Sequence, residues 1–186
     1  MARADGRLTA DLNPQDHGPQ DACGVIGIYA PGEEVSKLTY FGMYALQHRG
    51  QESAGMAVSD GRHMMVFKDM GLVSQVFDEA TLNSLQGHMA VGHTRYSTTG
   101  ASIWDNAQPT FRSRQGGDGL ALAHNGNLTN TGALEALIAE RAPDTEVPHK
   151  DRMDSSNDTS LVTALMTTYD LSLIHISEPT RQEAIS

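Results

Sequence analysis

Cys23-Gly-Val-Ile-Gly-Ile-Tyr-Ala30 is where the chain changes character. Residues 1–22 are polar, rich in Asp, Pro and Gln, and without periodicity, so they read as a flexible leader. From Cys23 a short apolar run begins at once, most simply a buried strand. Val35, Leu38, Phe41 and Ala45 then recur at helical spacing and predict a helix. Gly55–Val58, Met64–Lys68 and His88–Thr94 read as strands, with a helical turn marked by Leu82 and Leu85 before the last. Residues 95–118 carry little pattern and predict one long loop, the kind that serves as a lid. Gly119–His124 is another apolar strand running into Asn125-Gly126-Asn127. A helix is expected over Thr131–Arg141, and a last one over the stripe Leu161, Val162, Leu165, Met166 and Tyr169. The pattern is that of a layered α+β domain.

The 186 residues suffice for one domain with a real core, or for most of a larger one. Lys and Arg number 13 against 23 Asp and Glu, a formal net charge of −10. That balance argues against a nucleic-acid partner, which needs clustered cations. No apolar run has the length of a membrane span, and Met1-Ala-Arg-Ala-Asp-Gly-Arg leads into no secretory core. One cysteine allows neither an internal disulfide nor a cysteine-based zinc site. The eight histidines lack ligand-like spacing, so no metal is expected. A cytoplasmic protein is the reading.

Taken singly, the residues with chemistry have plain explanations. Asn125-Gly126 after a strand suits a tight turn, since both accept positive φ. Arg95 at a strand end suits a surface ion pair of little worth. Asp158 suits the first turn of a helix. Cys23, the sole thiol, suits a small buried hydrophobe.

Read in order, five segments resemble one family. They are Cys23-Gly-Val-Ile-Gly-Ile-Tyr, Leu46-Gln-His-Arg-Gly-Gln-Glu-Ser-Ala-Gly, Gly92-His-Thr-Arg-Tyr-Ser-Thr-Thr-Gly, Asn106-Ala-Gln-Pro and Ala123-His-Asn-Gly-Asn-Leu-Thr-Asn. Over about residues 21–170 the chain resembles the glutaminase half of the amidophosphoribosyltransferase family, within the N-terminal-nucleophile (class II) glutamine amidotransferases. His48-Arg-Gly-Gln-Glu and Arg95-Tyr-Ser-Thr-Thr set it apart from the sugar-phosphate branch. The resemblance implies an αββα four-layer sandwich, here incomplete, with L-glutamine as substrate.

It also implies roles. Cys23, freed by removal of residues 1–22, is the nucleophile, and its own α-amino group is the base. Asn125 and Gly126 supply the oxyanion donors. Arg95 pairs with the glutamine α-carboxylate and Asp158 with its α-ammonium, with Thr98 and Arg49 in support. The ammonia released would convert phosphoribosyl pyrophosphate (PRPP) to 5-phosphoribosylamine in purine synthesis. That step belongs to a second, Mg2+-using domain absent here. The parent would be a homo-oligomer. Family members with such a leader often hold a 4Fe-4S cluster on cysteines of the C-terminal half, whereas this chain is expected to hold no cofactor.

After Asp170, Leu-Ser-Leu-Ile-His-Ile-Ser-Glu-Pro-Thr-Arg resembles a translated transposase adapter from sequencing libraries. Residues 171–186 are therefore expected to be artefact, and 23–170 a glutaminase domain lacking its C-terminal part. Exposed sheet edges and poor solubility should follow. Two other functions fit some of the residues. One is a non-catalytic glutamine-binding or regulatory module, and the other an amidotransferase with a different acceptor.

Overall fold

A computed structural model describes residues 23–96, 103–113, 119–126, 128–142 and 158–168. The leader, Thr98, and residues 171–186 lie outside them. Four strands form one antiparallel sheet in the order β1-β4-β2-β3: β1 Gly24–Tyr29, β2 Ser53–Ser59, β3 Met64–Met70 and β4 Met89–Arg95. Each matches a predicted strand within a residue or two.

One face of this sheet is covered by helices α1 (Val35–Ala45), α2 (Val73–Val76) and α3 (Glu79–Ser84). Val35, Thr39 and Met43, spaced four apart, form the buried stripe of α1. They meet Ala54, Met56 and Val58 of β2, with Val73, Phe77, Leu82 and Ala90 completing the cluster. Met43 and Met56 are fully buried, each stabilising the fold by about 2 kcal/mol. The helix rides low over Gly92, where a Cβ would stand 2.7 Å from Thr39 Cγ2 and 2.8 Å from Met43 Cγ.

Alternation then puts His93 and Arg95 on the opposite face. The second unit lies there: β5 (Thr110–Ser113) paired antiparallel with β6 (Gly119–Leu122), and helices α4 (Thr131–Arg141) and α5 (Asp158–Thr167). α5 packs on both strands and on α4, burying Ile138, Leu161 and Ala164. The Thr110 and Thr163 hydroxyls meet at 2.5 Å between strand and helix.

The expected single loop over 95–118 is not what forms. Trp104–Asn106 is a 3-10 turn and Thr110–Ser113 is a strand. The turn is clamped to β3: Trp104 Nε1 donates to the Lys68 carbonyl at 3.0 Å, the Lys68 ammonium lies 4.7 Å from the indole centroid, and Lys68 Nζ donates to the Ala107 carbonyl at 2.6 Å. At Gly55 the Gln108 carbonyl comes so close to β2 that no side chain fits. The architecture is mixed α+β, two helix-on-sheet units joined along this seam.

Candidate functional site

Four chain segments converge where β1 begins and β4 ends. Cys23 immediately precedes β1, half-buried and free. Its sulfur lies against Tyr96, accepting from the backbone N–H at 3.5 Å and reaching the carbonyl at 3.6 Å. Antiparallel pairing sets this, because Gly24 stands opposite Thr94 and the residues just outside the ladder fall side by side. The Cys23 carbonyl accepts a 2.7 Å hydrogen bond from Asn125 Nδ2, across 102 residues of sequence.

Asn125 and Gly126 follow β6 as foreseen, but neither adopts the left-handed backbone that a tight Asn-Gly turn would use. The segment is held differently. The His124 backbone N–H donates to Gln108 Oε1 at 2.7 Å, and the His124 ring folds back over Gly126, where a Cβ would meet Nε2 at 2.5 Å. Asp158, the first residue of α5, reaches the same segment: its Oδ2 accepts from the Leu128 N–H at 2.6 Å and its Oδ1 lies 3.9 Å from His124 Nδ1.

Arg95 is not the surface ion pair of little worth. Its Nη1 meets Glu52 Oε1 at 3.1 Å, with the side chains only 8% and 11% exposed. The Glu52 N–H also donates to the Arg95 carbonyl at 3.0 Å, so backbone and side chain lock together. Arg49 lies on the 3-10 turn Gln47–Arg49, at the same end of the sheet. Gln47 ties that turn down by donating to the Gly50 carbonyl and accepting from the Val73 N–H at 2.5 Å. Gly50 then lies flat on β4, where a Cβ would be 2.5 Å from Thr94 C and 2.7 Å from Arg95 N.

The structure thus brings together Cys23, Asn125 and Gly126, sets Arg95 beside them on β4, and links Asp158 through His124 and Leu128. Arg49 stands at the edge of this group. Sequence reasoning missed Glu52, Gln108, His93 and the Tyr96 backbone. All four fall inside three of the quoted motifs, which is the signal that could have found them. His93 is fully buried, and burial pushes its imidazole down to about 4, opposed in part by the His124 main chain and reinforced by the charge of Arg95 and the ring of His124. Among the described residues no three His, Cys, Asp or Glu side chains form a metal-binding group, and no helix is long and apolar enough to cross a membrane.

No family model matches the chain. Individual proteins do. The amidophosphoribosyltransferase of Mycobacterium tuberculosis is 61% identical over 143 residues, covering 73% of this chain and 27% of that protein. The Bacillus subtilis glutamine PRPP amidotransferase, solved with ADP and GMP, superposes with a TM-score of 0.66 at 34% identity, over 81% of this chain and 30% of that one. A structure described as the allosteric regulatory enzyme of purine biosynthesis gives 0.68 at 35% identity, over 81% of this chain and 31% of that one. Spanning 27% of the length of such relatives, the chain is a homologue of the amidophosphoribosyltransferases.

Proposed function

We propose that this chain is the glutaminase region of an amidophosphoribosyltransferase, built on the αββα sandwich of the N-terminal-nucleophile amidotransferases. The Cys23 α-amino group, released by loss of residues 1–22, takes the thiol proton. The thiolate attacks the glutamine side-chain carbonyl carbon. The C–N bond then breaks, ammonia leaves with a proton from the same amine, and water hydrolyses the glutamyl thioester to glutamate. Asn125 Nδ2 and the Gly126 N–H receive the oxyanion. Arg95, fixed by Glu52, binds the α-carboxylate, and Asp158 the α-ammonium. Arg49 and Thr98 support the substrate pocket.

Ammonia transfer to PRPP belongs to the part of the relatives this chain does not match. Mg2+ and an iron–sulfur cluster find no donor set among the described residues, and Cys23 is the only cysteine, so no step passes through either.

The observation that carries this reading is the Asn125 amide on the Cys23 carbonyl, which sets a candidate oxyanion donor beside a lone thiol. The test is ammonia release from glutamine by the chain processed to begin at Cys23. Cys23→Ala should abolish it, and Asn125→Ala should lower kcat by about a hundredfold with little change in KM. Glutamine binding without ammonia release would replace this reading by the non-catalytic module.

A further inference from the structure

His93 has no role in the chemistry above, yet it occupies the seam on which that chemistry depends. It sits in β4 two residues before Arg95, between Val25 of β1 and Gly55 of β2. The Gln108 carbonyl takes the place that a Gly55 side chain would have, and the imidazole beside it is fully buried between the sheet and the second unit. There it lies against the His124 main chain, a contact that works against the effect of burial by favouring the charged ring, while neither ring nitrogen has a hydrogen bond of normal geometry. An apolar side chain of similar volume would suit such a site at least as well for stability alone. Held neutral by burial, the ring carries one N–H donor. The neighbouring carbonyl of His124 belongs to the peptide that leads into Asn125.

We propose that His93 is a positioning residue, its ring N–H engaging the His124 carbonyl as the site tightens on glutamine and so fixing the peptide that carries Asn125 and Gly126. The inference rests on the glutaminase reading. Hydrogen bonds of this kind are often long without substrate and shorten around the reacting complex. Misplacing a donor by about 1 Å can cost a hundredfold in rate. Recognition of the α-carboxylate and α-ammonium by Arg95 and Asp158 would be untouched, so the effect falls on kcat and not on KM.

The experiment compares glutamine hydrolysis by the processed chain with that of His93→Leu, His93→Asn and His93→Gln, alongside their melting temperatures. Asn places a donor near the Nδ1 position and Gln near Nε2. The expected result is that His93→Leu melts no lower than the unsubstituted protein but loses about tenfold or more in kcat at unchanged KM. One of the two amide variants should recover most of that loss. Undiminished kcat in His93→Leu would overturn the proposal, as would a loss that neither amide repairs. Hydrolysis by none of the proteins, the unsubstituted one included, would instead remove the glutaminase reading on which it rests.

Discussion

Arg95 and Glu52 are nearly sealed from solvent, which decides what their ion pair is worth. An exposed pair contributes little, whereas removing one partner of a buried pair leaves a charge in a poorly solvated place. Glu52→Gln should therefore cost about 3 kcal/mol in urea unfolding, far above a surface substitution. It should also raise KM for glutamine, by freeing the guanidinium to move. His93 makes the second prediction at this scale. Its folded pKa of about 4 lies below the ordinary 6.5, so between those values the unfolded chain binds a proton that the folded chain refuses. Stability should fall as pH drops through 6.5, by about 3 kcal/mol near pH 4. His93→Leu should remove that part of the slope, leaving the carboxylates to account for the rest. Arg95 was legible as a strand-end cation and Asp158 as a helix-start anion. His93 was not, because β4 is covered on both faces and nothing in Gly92-His93-Thr94 says which side chain meets the second unit.

Among the elements, helix α4 runs over the span its apolar spacing predicts; α1 also spans Val35 to Ala45, but the stripe it buries is Val35, Thr39 and Met43, while Leu38, Phe41 and Ala45 of the expected stripe are exposed. Strand β5 was hidden for a physical reason. Four residues, Thr110–Ser113, are too few to display alternation, and they sit in a stretch of Gly, Ser, Thr, Asn and Pro. What makes them a strand is tertiary: pairing with β6, support from α5, and the Trp104–Lys68 clamp. Gly55 is the weak point of that arrangement, since a methyl there collides with the Gln108 carbonyl backbone. Gly55→Ala should cost about 2 kcal/mol, and hydrogen exchange should accelerate in β5 and β6 before it does in β1 or β4. Equal protection in both sheets would show that the seam tolerates the methyl.

For the molecule as a whole, the layer facing β2 and β3 is filled while the β1 side of the same face is open. Val25 and Tyr29 on β1 and Met89 opposite Tyr29 are 40%, 71% and 38% exposed. Exposed apolar side chains on an edge strand favour association. Light scattering of the chain should rise with concentration, and Tyr29→Lys should reduce it without lowering the melting temperature. A sharp melt with no concentration dependence would contradict that. The sequence read as one layered α+β domain, not as two units. Their juxtaposition was not legible, because it rests on Gly55, Gln108, Lys68 and Trp104, which carry no periodic signal. The central claim is that Cys23 becomes an amino-terminal nucleophile with Asn125 beside it. Mass spectrometry of the whole chain after treatment with an electrophilic glutamine analogue tests it most directly. Loss of residues 1–22 with one adduct on Cys23, absent in Asn125→Ala over the same time, is the predicted result. A chain that keeps its leader and an unmodified Cys23 would contradict it.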